Sequence, residues 1–149
     1  MAVIRRFDHI GITVADLDLV TDFFIALGLE VQGRTVVEGD FIDTVIGMAG
    51  ARTEIVMLHA PGEAGSGTGI ELSQFARPLA EPGMPTAAAN VLGLRSVAFE
   101  VDDIEGLVAR LAADGYGLVG AIGEYENAWR MAYVRGPEGI LVALAQRVS

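Results

Sequence analysis

A ten-residue pattern occurs twice in this chain, 87 positions apart, and that repetition narrows the possible folds more than any other feature of the sequence. The first copy reads Asp8-His9-Ile10-Gly11-Ile12-Thr13-Val14-Ala15-Asp16-Leu17, and the second Arg95-Ser96-Val97-Ala98-Phe99-Glu100-Val101-Asp102-Asp103-Ile104. In each, an alternating apolar strand leads to an acidic residue placed to cap an amphipathic helix. The two halves also close alike, with Gly69-Ile70-Glu71-Leu72-Ser73-Gln74 in one and Ile140-Leu141-Val142-Ala143-Leu144-Ala145-Gln146 in the other. With Leu72 on Leu144 and Gln74 on Gln146, Glu71 falls on Ala143. The first half therefore carries His9 and Glu71 where the second carries Ser96 and Ala143.

Between these landmarks the periodicity predicts one order of elements, given twice. Val3 to Val14 alternates as a strand. Asp16 caps a helix to about Leu27, with Leu17, Val20, Phe23, Phe24 and Leu27 on one face and Gly28 as its stop. Strands follow over Leu29–Glu38, Arg52–Leu58 and Gly69–Phe75; Phe41, Val45 and Ile46 suggest a short helix within Gly39–Gly50, and 61–68 is a glycine-rich loop. Residues 76–92, with three prolines and no clear period, read as a linker between a first module, 1–75, and a second, 93–149. The second module offers a strand at Leu94–Val101 and a helix at Asp103–Asp114, with Ile104, Leu107, Val108 and Leu111 inward. Strands at Tyr116–Ile122, Trp129–Arg135 and Ile140–Gln146 follow, the last two joined by the tight turn Gly136–Gly139. The fold class is α+β, two tandem βαβββ modules.

Composition excludes several functions. The 149 residues are 52% hydrophobic, enough for a globular core. No apolar run approaches the roughly 18 residues that span a bilayer, and the N-terminus lacks a cleavable apolar segment, so a cytoplasmic location with no membrane partner is expected. A net charge of −10 without a basic stripe repels phosphate, so nucleic acid is not an expected partner. The chain has no cysteine and no lysine. That removes disulfides, thiolate sites and Schiff-base chemistry.

The residues that remain for chemistry are few. His9 either faces a ligand or satisfies itself through hydrogen bonds. Glu71, a carboxylate within an apolar strand, has three outlets: pairing with His9, accepting from a ligand, or facing water. His59 sits at a strand end beside Ala60-Pro61 and reads as a surface residue. Trp129, Met131 and Tyr133 share a parity and so lie on one face of a strand, with Tyr125 close by and Arg130 flanking. Phe41, Met48, Met57, Phe75 and Phe99 are candidates for a corresponding wall. Core packing accounts for part of this set, but the Trp and Tyr side chains carry a polar end suited to a wet pocket wall.

The order of elements, Phe7-Asp8-His9-Ile10 at one end, Gly136-Pro137-Glu138-Gly139-Ile140 at the other, and the phrases over 93–104 and 133–139 together resemble the vicinal oxygen chelate superfamily. That group includes glyoxalase I, bleomycin-resistance proteins and extradiol dioxygenases. The resemblance implies sheets curled into a cup. In the superfamily's enzymes a divalent metal sits in that cup, held at the positions matching His9, Glu71, Ser96 and Ala143. Two of these fit and two depart, so no metal and no other cofactor is expected.

The bleomycin-resistance branch implies a role in capturing a planar natural product. The expected ligand surface comprises His9, Phe41, Met57, Glu71, Phe75, Phe99, Tyr125, Trp129, Met131 and Tyr133. The expected partners are a small aromatic or polycyclic ligand and a second copy of the chain in a homodimer. A lyase, epimerase or isomerase using His9 and Glu71 as acid and base is the alternative. A ligand-free assembly protein is a third reading.

Overall fold

The computed structural model describes residues 1–63 and 67–148, so residues 64–66 of the loop expected at 61–68 lie outside it. The chain divides into two compact units, Met1–Pro82 and Gly83–Ser149. The first runs β1 (His9–Thr13), α1 (Leu17–Leu27), β2 (Glu30–Glu38), α2 (Asp40–Ile46), β3 (Arg52–His59) and β4 (Gly69–Arg77). The second runs β5 (Ser96–Glu100), α3 (Ile104–Ala113), β6 (Gly123–Tyr125), β7 (Trp129–Arg135), a 3-10 turn at Pro137–Gly139 and β8 (Leu141–Arg147). Each unit holds a four-stranded mixed sheet, in the orders β1-β4-β3-β2 and β5-β8-β7-β6. The fold is α+β, and neither sheet closes into a barrel.

The duplication reaches the individual hydrogen bonds. Asp16 accepts from the Leu19 amide at the start of α1, and Asp103 accepts from the Gly106 amide at the start of α3. Each cap satisfies an amide that the first turn cannot bond internally. Gln74 Oε1 accepts from the Leu17 amide at 2.8 Å, and Gln146 Oε1 accepts from the Ile104 amide, also at 2.8 Å. Each glutamine thus ties its last strand to the start of its helix. The parallel strand pairs share one register, with Gly11 opposite Glu71 and Ala98 opposite Ala143.

Pleating sorts the side chains. In the first unit α1 packs on β3 and β4, burying Leu17, Val20 and Phe24 with Val56, Leu58, Ile70 and Leu72. Phe23 and Phe24 meet edge to face, ring centroids 5.3 Å apart. In the second, α3 packs on β7 and β8 and buries Ile104 and Leu111 with Ala132, Val134, Val142 and Leu144. Each of the Leu, Val, Ile and Phe side chains among them contributes about 1.5–3 kcal/mol of burial. Leu107 and Val108, expected inward, are only half-buried.

Residues of the other parity occupy the far face of each sheet, turned from its helix. In the first unit these include His9, Gly11, Thr13, Met57, Glu71, Ser73 and Phe75. In the second they include Ser96, Ala98, Ala143, Arg147, Trp129, Met131, Tyr133 and Tyr125.

Three expectations are corrected. The first strand begins at His9 and not Val3, because β4 begins at Gly69, opposite His9, and offers no rungs beyond it. The segment Tyr116–Ile122 forms a single bridge, Leu118 to Val134, and the strand lies later, at Gly123–Tyr125. Residues 83–92 belong to the second unit. Arg135 donates to the carbonyls of Pro85, Ala87 and Gly139, and Gly139, at φ +81°, approaches Pro85 too closely for any side chain.

Candidate functional site

On the far face of the first sheet, β1 and β4 run side by side and bring His9 and Glu71 together. His9 Nε2 lies 3.3 Å from Glu71 Oε2, and His9 Nδ1 lies 2.7 Å from Asp8 Oδ2. Arg6 Nη2 donates to the other Asp8 oxygen at 2.6 Å. The imidazole is thus held between two carboxylates, both its nitrogens engaged. The hydrogen bond from His9, and then the Arg6 charge, hold the Asp8 carboxyl below its ordinary range. Both members of the His9–Glu71 pair remain partly open to solvent. Met57, opposite Glu71 on β3, adds a half-buried thioether beside the carboxylate.

His59 departs from expectation. It is only 6% exposed, because its neighbour in β4 is Gly69: a Cβ there would stand 2.8 Å from His59 Nε2. The missing side chain makes room for the ring. His59 Nδ1 is buried and has no hydrogen-bond partner among the described residues.

The second unit shows a different surface at equivalent positions. Ser96 stands where His9 does and Ala143 where Glu71 does. Opposite Ala143 lies Tyr133; along the same face of β7 follow Met131 and Trp129, and Tyr125 of β6 pairs with Trp129. The Arg147 guanidinium lies 4.4 Å from the Trp129 ring centroid, a cation–π contact. Arg147 escapes the sequence reading, although counting outward from the Gly136–Gly139 turn pairs it with Trp129.

Four expected site residues thus share one face of the second sheet: Tyr125, Trp129, Met131 and Tyr133. Four more, His9, Met57, Glu71 and Phe75, share the far face of the first. Phe41 stands on α2, 75% exposed. Phe99 does not belong: it pairs with Leu144, on the side that α3 covers, because it is an odd number of residues from Ser96. Arg130 is likewise on the α3 side, in ion pairs with Glu105 and Glu124.

The donor set does not fit the metal that the superfamily's enzymes use. Ala143 has no donor atom and Ser96 offers only a neutral hydroxyl, which leaves one imidazole and one carboxylate where about three protein ligands are needed. Among the described residues no three His, Cys, Asp or Glu side chains gather around a common point.

Comparison with known proteins agrees with this architecture. The family model described as the Glyoxalase/Bleomycin resistance protein/Dioxygenase superfamily matches residues 6–144. A glyoxalase family protein from Bacillus cereus is 38% identical over 99% of this chain and 97% of its own, with a TM-score of 0.93. Glyoxalase I of Leishmania major is 23% identical over 95% of this chain and 86% of its own, with a TM-score of 0.65. TnmS3, an antibiotic binding protein from Streptomyces sp. CB03234, is 18% identical over 99% of each chain, with a TM-score of 0.61. No curated protein matches the sequence. With its duplicated sheets, its shared register and a family match spanning almost its whole length, the chain belongs to the glyoxalase/bleomycin resistance protein/dioxygenase superfamily.

Proposed function

We propose that this protein binds and sequesters a planar, mostly apolar natural product, without a metal, as a means of self-protection against that compound. One observation carries the reading: the far face of the second sheet presents Tyr125, Trp129, Met131 and Tyr133 together, beside two positions, Ser96 and Ala143, that lack strong metal donors. Aromatic faces and a thioether favour flat, polarisable ligands. A polycyclic ligand of about 35 atoms at roughly 0.3 kcal/mol per atom would gain about 10 kcal/mol, a submicromolar affinity. The antibiotic-binding role of TnmS3 supports the reading only as an example of what the fold accommodates. The working form is a cytoplasmic two-fold dimer, the commonest closed symmetry.

Because Trp129 is the only tryptophan, its fluorescence reports directly on this surface. Titration with planar natural products will quench it, and Trp129→Ala will weaken binding tenfold to a few hundredfold. The same compounds binding the alanine variant undiminished, with His9→Ala abolishing capture, would refute the proposal.

The second reading is a lyase, epimerase or isomerase, and the His9–Glu71 contact at 3.3 Å with Asp8 behind it favours that alternative. The paired imidazole and carboxylate would then hold and return a proton at His9 Nε2 and Glu71 Oε2. Chemical change of a bound candidate, lost in Glu71→Gln, distinguishes the two.

A further inference from the structure

We infer that the first unit contains its own apolar ligand site, away from His9 and Glu71 on the same face of the sheet. It is selective for neutral or cationic flat molecules over anionic ones. A cavity of about 480 Å3 is lined by Thr13, Met48, Phe75, Pro78, Leu79 and Glu81. That volume lies in the range of small-ligand pockets, roughly 300–1,000 Å3. Thr13 lies four residues beyond His9, and Phe75 four beyond Glu71, so the cavity is displaced by about 13 Å along the strands.

The local sequence builds one wall firmly. Met48 sits between Gly47 and Gly50, at φ +69° and +70°, conformations that side chains other than glycine rarely adopt. The Asp43 carboxylate accepts from the Gly50 and Ala51 amides at 2.8 and 2.9 Å, and the Met48 amide donates to the Asp43 carbonyl. Arg77 donates to the Gly50 carbonyl and pairs with Glu38, both at 3.2 Å. Those bonds hold the backbone that brings Met48 into the lining. Leu79, in the turn after β4, also lines the cavity and is 81% exposed. An apolar side chain held this far into water beside a cavity gains contact area when an apolar guest fills the space.

Charge decides the class of guest. Phe75, Met48, Leu79 and Pro78 supply apolar and polarisable walls, and the Thr13 hydroxyl can bond a polar edge. Among the described residues, the one ionisable lining group is the Glu81 carboxylate, within a chain of net charge −10. An anionic guest meets repulsion; a neutral or cationic one with a donor group meets an acceptor.

The test uses the full chain and two fluorescent probes of one aromatic frame. These are neutral N-phenylnaphthylamine and its anionic relative anilinonaphthalene sulfonate. The neutral probe is expected to bind the unmodified chain, and the anionic probe at least tenfold more weakly. Leu79→Ser and Met48→Ser should each weaken the neutral probe on the order of tenfold, with melting temperature unchanged because both residues are exposed. Glu81→Gln should narrow the gap between the probes.

Trp129→Ala separates this site from the aromatic surface of the second unit. If it leaves the neutral probe's binding intact while Leu79→Ser weakens it, the first-unit site stands by itself. If only Trp129→Ala acts, the first-unit site is refuted and the second-unit surface is favoured. If instead Leu79→Ser halves the mass by light scattering and the probe never binds, the cavity is filled by a second copy of the chain, and the inference falls.

Discussion

Gly69→Ala isolates one consequence of the architecture cleanly. In a strand, replacing glycine by alanine ordinarily stabilises by about 0.4–1 kcal/mol, because the unfolded chain loses freedom. Here the added Cβ would meet His59 Nε2 at 2.8 Å and the Leu58 carbonyl oxygen at 3.1 Å. The ring is only 6% exposed and has little room to withdraw, and the carbonyl belongs to the β3–β4 ladder. Overpacking of this kind costs about 1–3 kcal/mol, which outweighs the entropic gain. For a chain of this size each kcal/mol lowers the midpoint by about 2–4 °C, so the variant should melt some degrees lower. Differential scanning calorimetry measures it, and a double-mutant cycle with His59→Ala assigns the cause. The two substitutions together should cost less than their sum. A variant at or above the unmodified midpoint would show that His59 yields freely, and would refute the claim that Gly69 exists to house it.

Three further outcomes follow from the structure. Gln74→Ala and Gln146→Ala should each cost about 1 kcal/mol, by similar amounts, since each removes one side-chain bond to a helix-start amide at 2.8 Å; guanidinium titration of both variants reads this. Asp8 and Glu38 are held below the ordinary carboxylate range, Asp8 by His9 and Arg6 and Glu38 by Arg52 and Arg77. Their stabilisation is therefore complete above about pH 5 and is lost as pH falls through about 4 and below, and Asp8→Asn with Glu38→Gln should flatten the melting profile in that acid window. Arg147→Leu removes the cation 4.4 Å from Trp129, so the indole emission should change without ligand while the melting temperature moves little; an unchanged spectrum would place the guanidinium elsewhere in solution.

The sequence makes the scaffold readable wherever local chemistry decides it. Asp16, Asp103 and Gly28 mark helix ends that the structure keeps. The βαβββ order and the β7–β8 hairpin are legible for the same reason. Boundaries that depend on a distant partner are not. Val3 to Phe7 has a strand's pattern but no strand opposite it among the described residues, and Tyr116–Ile122 carries glycines at 117 and 120 that weaken a ladder. His59 is misread because the reason for its burial is the absent side chain of Gly69, ten residues away. The parity of Phe99 is, by contrast, fully contained in the sequence: an odd spacing from Ser96 puts it on the opposite face. The pairing of His9 with both Asp8 and Glu71 combines a visible neighbour with one that only the β1–β4 register supplies.

The twin glutamine ties have a consequence for how such a chain can change over time. Gln74 and Gln146, the aspartate caps and the strand registers all use the backbone or the helix-covered side of each sheet. None of them draws on the far-face letters. Copying the unit therefore copied a frame whose lettering on one side is free to be rewritten, and the two copies have been rewritten differently: imidazole and carboxylate in one, indole, thioether and phenol in the other. New chemistry on this frame demands no new architecture. It requires only substitutions at every second residue, on the side that does not hold the helix.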